Sequence, residues 1–155
     1  MAKHRHRMFE MFDTYDEAEC ALESKSSQKV VQQNHETDEL WAFRCLMASR
    51  SERVIHVTFR SPKRPKGEHA RDLRADLWKL ADSLVNDSSV LMDFEGLEEF
   101  SARSVDDLAL FLRKLQSRGS RVAICNLGPA VMASFFPNRA YAQTRKKCDC
   151  VVKSN

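Results

Sequence analysis

A short apolar run at residues 90–94, flanked by segments with helical periodicity, constrains this chain more than any other feature of its sequence. Only Asp93 interrupts the run. Strands that are apolar along their whole length are typical of the centre of a parallel sheet, where both faces are buried. Residues 121–125 form a second run of this kind. The sequence therefore predicts an α/β fold in which the later strands are parallel.

Amphipathic helices are predicted beside these strands. Leucines recur at helical spacing in residues 68–85 and again in residues 104–118, and both stripes are expected to pack on the sheet. Ser104 is the predicted N-cap of the second helix, with Asp107 three residues later. Gly128-Pro129 opens a third helix, because proline suits the first helical position. Helices between parallel strands supply the crossovers that such strands require.

Upstream of the helices, two apolar segments predict a β-hairpin. Residues 41–48 are rich in apolar side chains, and residues 53–60 alternate between two faces. The polar residues 49–52 are the predicted turn. His56 lies inside the second strand and is interpreted as a structural histidine. Together these elements predict a four- to five-stranded mixed sheet with three or four helices.

The chain is predicted to divide into an N-terminal extension (1–39), an α/β domain (40–145) and a C-terminal tail (146–155). The extension has diluted apolar spacing, which leaves open a short helix docked on the domain or a disordered arm. In the tail, Val151-Val152 could form one last edge strand.

Composition narrows the classes of function. Twenty-five basic and 22 acidic residues give a net charge of only +3, so a nucleic-acid-associated protein using the basic loop 63–66 is kept only as an alternative. No apolar run reaches the ~18 residues of a membrane span, and no secretory signal is recognisable. The sequence thus predicts a cytoplasmic protein, without a cofactor.

The five cysteines are an odd number without a Cys-x-x-Cys pair, which predicts reduced thiols and no metal site. Cys148 and Cys150 could form half of a zinc site, but no second close-spaced pair completes four ligands. The sequence also lacks a glycine-rich phosphate loop and a Gly-x-Ser-x-Gly motif. Asp93 stands at the end of its strand, where a small α/β enzyme or nucleotide-binding protein would place a carboxylate. That alternative stays open.

Residues 90–108, VLMDFEGLEEFSARSVDDL, resemble the signature stretch of STAS domains, the family of anti-sigma factor antagonists. Asp93, Phe94, Gly96, Leu97 and Phe100 fit its frame. The flanking segments FRCLMASRSERVIHVTF and LFLRKLQSRGSRVAICNLGPAVMASF also match, so the resemblance covers residues 41–140. It implies a STAS-like fold and a non-catalytic regulatory module. The module would bind an anti-sigma factor or a serine kinase through the domain's second helix and the loop before it.

The resemblance also implies a phosphorylatable serine at the loop entering that helix. In the ungapped register Ala102 occupies the acceptor position, and a one-residue shift places Ser101 there instead. Ser101 and Ser104 are therefore the candidate regulatory sites, although capping is the commoner role for Ser104. Asp93 is expected to position the loop through contacts with backbone or with residues 101–104. The partner surface is expected to include Ala102, Arg103 and Asp106.

Overall fold

The computed structural model describes residues 4–5, 9–26, 39–51, 53–60, 66–98 and 100–136. These residues form one mixed sheet with helices on both faces. The strands are β1 (His4–Arg5), β2 (Glu10–Met11), β3 (Leu40–Ala42), β4 (Leu46–Ser51), β5 (Val54–Phe59), β6 (Ser89–Asp93) and β7 (Arg121–Cys125). The helices are α1 (Tyr15–Ser26), α2 (Lys66–Ser83), α3 (Ala102–Ser117) and α4 (Pro129–Phe135). The predicted α/β class with a mixed sheet is confirmed.

The strands lie in the order β1-β2-β7-β6-β5-β4-β3. β6 is central and pairs in parallel with β5 on one side and β7 on the other. It is buried except for half-buried Asp93 at its last position. The sequence-based prediction of a central parallel strand at this place is therefore confirmed.

Helices α2 and α3 cover one face of the sheet. Leu77 and Leu80 of α2 and Leu108 and Leu112 of α3 belong to one buried cluster, as their helical spacing predicted. Val90 and Met92 of β6 are the residues of the central strand that belong to this cluster. Each such leucine contributes about 1.5–3 kcal/mol when it leaves water, so this cluster is the main core of the described chain.

Two details of the predicted hairpin are wrong. The polar residues 49–51 are not a turn; they belong to β4, where Ser49 pairs with His56 and Ser51 with Val54. An antiparallel strand tolerates polar side chains because one of its faces can meet water. The strand predicted over residues 41–48 is also broken into β3 and β4 at a tight turn, in which Phe43 N donates to Leu46 O at 2.9 Å.

A buried carboxylate from α2 stabilises that turn. Asp76 is buried, and its Oδ2 accepts a hydrogen bond from Cys45 N at 2.7 Å. Burial raises the pKa of the Cys45 thiol to about 11, with the charge of Asp76 as the next cause. A buried carboxylate is costly unless it is hydrogen-bonded. Asp76 therefore joins α2 to the start of β4.

The predicted number of strands is too low, since the described residues alone form a sheet of seven strands. Two of the additional strands, β1 and β2, come from the region predicted as an N-terminal extension. β2 pairs in parallel with β7. Two alternatives were open for this region, a docked helix and a disordered arm. The described residues form the docked helix: α1 packs on the second face of the sheet. Phe12, Ala18 and Leu22 are buried there against Leu91 and Ala123.

The docking of α1 predicts a large stability loss on truncating Leu22, which is fully buried. Leu22→Ala is expected to lower the free energy of unfolding by about 2–5 kcal/mol, measured by denaturant titration, because it removes packed methyl groups and leaves a cavity. The control is Leu110→Ala on the exposed side of α3, where about 0.5 kcal/mol or less is expected. Equal losses in the two variants would contradict the docking of α1.

Candidate functional site

The candidate site lies at the carboxyl ends of β6 and β7, where loops leave the sheet. Asp93 Oδ1 accepts hydrogen bonds from Glu95 N at 2.9 Å and from Asn126 Nδ2 at 2.9 Å. The first bond forms a local turn between a side chain and its own backbone, which Gly96 continues with a positive φ of 76°. In the described residues these two bonds come from the start of the 94–101 loop and from the residue after β7, and not from residues 101–104. Asp93 thus positions the beginning of the loop.

Asn126 is a site residue that sequence reasoning did not single out. Its φ is +57°, a left-handed conformation that asparagine adopts more readily than most residues. This backbone turn directs its side-chain amide to Asp93. An asparagine directly after an apolar strand was the available signal.

The thiol of Cys125 lies against the same carboxylate. Burial, and next the charge of Asp93, raises the pKa of Cys125 to about 12. The thiol is therefore protonated at neutral pH and hydrogen-bonded to Asp93. A protonated, buried thiol is a poor nucleophile, so Cys125 acts as part of the core of this strand.

The far end of the loop is held by aromatic packing. Phe100 stacks on Phe135 of α4 with ring centroids 5.7 Å apart. It also meets Phe94 edge-to-face at 5.7 Å, and Phe94 contacts Phe59 of β5 at 4.5 Å. Such pairs contribute about 0.5–1.5 kcal/mol beyond the area they bury. The loop is thus anchored at its start by Asp93 and at its end by Phe100.

The N-cap of the helix that follows lies three residues earlier than predicted. Ser101, not Ser104, is the N-cap of α3: its Oγ accepts from Ser104 N at 3.1 Å. Val105 N donates to Ser101 O at 3.0 Å and so closes the first turn. Phe100 is buried just before this turn, so the helix starts where the chain leaves the aromatic cluster. The prediction that Ser104 is the cap is therefore wrong.

Exposure separates the two candidate phosphorylation sites. Ser101 is exposed, whereas only 4% of Ser104 is exposed, and its Oγ lies 2.9 Å from Ser101 Oγ. A kinase needs an accessible hydroxyl, so Ser101 is the accessible one of the two.

The predicted partner-surface residues Ala102, Arg103 and Asp106 are all exposed, while Asp93 is half-buried. We use the name α3 stripe for the exposed residues at helical spacing Arg103, Asp106, Leu110 and Arg113. Leu110 is 41% exposed and has charged residues before and after it in the stripe. An apolar centre with a polar surround is the usual composition of a protein-binding surface.

Asp107, the predicted partner of a Ser104 cap, lies at the border of the buried face of α3, four residues after Arg103. Its carboxylate is buried, with Oδ1 3.8 Å from Nε of Arg74 on α2. Oδ2 has no hydrogen-bond partner in the described part of the chain. Asp107 therefore contributes to the contact between α2 and α3 and does not belong to the exposed surface.

A second polar cluster lies between α1 and β5, and sequence reasoning missed it. The Tyr15 hydroxyl is hydrogen-bonded to His56 Nδ1, and the two rings stack with centroids 5.5 Å apart. His56 Nε2 lies 3.8 Å from Glu19 Oε1. The spacing of Tyr15 and Glu19, four residues apart on one helix face, was the available signal. The cluster joins α1 to the sheet, in agreement with the structural role predicted for His56.

Burial sets the protonation of this cluster. It lowers the pKa of His56, against the opposing charges of Glu19 and Glu23. It raises the pKa of Tyr15 to about 12, with the charge of Glu19 as the next cause. At neutral pH the imidazole is therefore neutral and the phenol protonated, so the hydrogen bond between the Tyr15 hydroxyl and Nδ1 joins two uncharged groups.

Several predictions concern residues outside the described ranges: Val151-Val152, Cys148, Cys150, and the part of the basic loop before Lys66. Within the described ranges no group of three or more His, Cys, Asp or Glu side chains is placed to hold a metal ion. No described helix has the length and apolar character needed to cross a membrane. The chain matches no model of a known protein family and none of the curated proteins with which it was compared.

The depressed pKa of His56 predicts a pH-dependent stability. Because the unfolded state binds the proton more readily than the folded state, the free energy of unfolding should fall as the pH drops below about 6.5. The measurement is a denaturant titration of wild type and of His56→Gln at pH 7.5 and pH 5. The wild type should lose more stability than the variant between these pH values. The four other histidines titrate in both proteins, so an identical pH dependence would contradict the assignment.

Proposed function

We propose that this chain is a non-catalytic regulatory module of the STAS type, an anti-sigma factor antagonist that acts in the cytoplasm. The observation that carries the proposal is the order of the elements around the site. An antiparallel β4–β5 pair is followed by α2, β6, α3, β7 and α4, with β5, β6 and β7 parallel. The loop that resembles the STAS signature connects β6 to α3, the helix that the resemblance implies for partner binding.

The partner is proposed to be an anti-sigma factor or a serine kinase, bound through the 94–101 loop and the α3 stripe. A loop that is anchored at both ends loses little conformational entropy on binding. The exposed first turn of α3 adds Ala102, Arg103 and Asp106 to the surface. A partner with a small apolar contact surrounded by charges of both signs would complement it.

The proposal that the module is not an enzyme is supported by how the reactive side chains are used. Asp93 already accepts bonds from Glu95, Asn126 and Cys125, which disfavours the alternative of a catalytic or nucleotide-binding carboxylate there. His56 is bonded to Tyr15 of α1. The Asp93 carboxylate and the His56 imidazole both make contacts that stabilise the fold.

Partner binding through the α3 stripe predicts a selective loss in surface variants. Leu110→Lys and Arg103→Glu should each reduce the amount of partner that copurifies with the tagged protein from its source cells, quantified by mass spectrometry. Val85→Lys is the control, because Val85 is 62% exposed and precedes β6, at the opposite end of the strands. Equal recovery in all variants would contradict the assigned surface. Recovery of neither an anti-sigma factor nor a serine kinase would contradict the partner class.

Ser101 is proposed as the site of regulation by phosphate. The alternative follows from the ungapped register, in which Ala102 occupies the acceptor position: the module then binds its partner constitutively. Ser101→Ala is a poor control, since loss of an N-cap costs about 1 kcal/mol. Asparagine and aspartate both cap helices well, so Ser101→Asn and Ser101→Asp differ mainly in charge. If the site is a switch, Ser101→Asp should release the copurifying partner and Ser101→Asn should retain it. Equal binding by both variants would identify a constitutive binder.

A further inference from the structure

Among the described residues, β3 forms one edge of the sheet and pairs with β4 alone. Arg50 N donates to Glu39 O at 2.9 Å, and Phe43 N donates to Leu46 O at 2.9 Å. Hydrogen-bonded and non-hydrogen-bonded pairs alternate along an antiparallel ladder. Since residues 39 and 43 bond to β4, the N–H and C=O groups of Leu40 and Ala42 point away from the sheet.

The side chains at this edge are apolar and accessible. Leu40 is 65% exposed, the largest value among the exposed large apolar side chains of the described residues. Ala42 is exposed on the same face of the sheet, and Trp41 packs against the core on the other face. Natural proteins usually protect an edge strand with charges or proline. β3, with the sequence Leu-Trp-Ala, has neither, and its length of three residues is what limits the edge.

The edge is complementary to itself. When two copies of β3 are placed antiparallel about Trp41, Leu40 of each lies opposite Ala42 of the other. Both of these are hydrogen-bonding positions, so each pair exchanges its outward N–H and C=O groups. The two Trp41 side chains then meet at the non-hydrogen-bonded position, where cross-strand aromatic pairs are favourable. The strand thus provides matching groups on both sides of a two-fold axis.

The charges beside β3 are compatible with this pairing. Glu39 precedes the strand and forms an ion pair with Arg50, with Oε2 and Nε 3.6 Å apart. The Arg50 guanidinium lies 6.0 Å from the centre of the Trp41 ring. In the antiparallel arrangement Glu39 lies opposite Phe43 of the second copy, so no like charges face each other directly.

We propose that β3 is the docking site for a second copy of this chain, in an antiparallel pair that continues the sheet across a two-fold axis. The pair is a weak, concentration-dependent dimer, because a three-residue strand supports only a small interface. The site is distinct from the α3 stripe, and the proposal stands independently of the partner proposed above.

The test is sedimentation velocity of the full chain over a concentration series that reaches the millimolar range. The wild type should shift from monomer to dimer as concentration rises. Leu40→Lys places a charge on the edge, and Ala42→Pro removes an outward N–H without removing a bond to β4. Both variants should remain monomeric. Val85→Lys, which changes an equally exposed apolar side chain elsewhere, should dimerise like the wild type.

A wild type that remains monomeric throughout the series overturns the proposal, and so does a dimer that survives either edge variant with its fold intact. Equal loss in Val85→Lys overturns it as well, because the effect would then be general to surface charge. Circular dichroism checks that Ala42→Pro is folded; if it is not, Leu40→Lys decides. Hydrogen exchange gives a residue-level readout: the amides of Leu40 and Ala42 should exchange more slowly in the dimer, and unchanged exchange would overturn the register.

Discussion

The burial of β6 on both faces is the constraint on which the rest of the structure depends. Val90 and Met92 face α2 and α3, while Leu91 faces α1. A strand with this composition, paired in parallel on both sides, exposes a large apolar area unless helices cover each face. Since α2 and α3 occupy one face, the other must be covered from elsewhere in the chain. The N-terminal region supplies that cover with α1, and β2 leads into it.

The same constraint explains why the candidate site is where it is. Asp93 is the first position of β6 that is not fully buried, so it is the first at which a carboxylate can be accommodated. The hydrogen bonds that this carboxylate accepts from Glu95 and Asn126 satisfy it at the carboxyl end of the strand. Polar groups gather at the carboxyl ends of parallel strands because the core ends there. A carboxylate that is bonded in this way holds the loop in place. The exposed residues of the loop then remain available for contacts with other molecules.

Elements dominated by one strong signal could be predicted from the sequence. β6 and β7 are apolar runs, and α2 and α3 have leucine stripes, so their positions follow from local composition. α1 lacks such a signal, because only a few of its residues face the sheet. Part of its contact with the sheet is polar and involves Tyr15 and Glu19. The β3–β4 break depends on Asp76, which is 31 residues from Cys45 in sequence. A long-range contact of this kind leaves no local pattern.

The candidate site shows the same division. The sequence identified the loop, its exposed residues and both serines, but it assigned the cap to the wrong one. Ser101 and Ser104 are both acceptable N-caps by residue type, and local preference does not separate them. The choice follows from tertiary packing: Phe100 is buried among Phe59, Phe94 and Phe135, which fixes the residue where the chain turns into the helix.

The capping role of Ser101 also limits how a phosphate there could act. A phosphate at a helix N-terminus is favoured by the helix dipole and by the free N–H groups of the first turn, so it would stabilise α3 and not unfold it. The loop before it is held independently by Asp93 and by the aromatic cluster. Any regulatory effect would therefore arise from about two added negative charges on the surface, next to Arg103. Such a switch changes which partner surface is tolerated, while the fold that presents the surface stays the same.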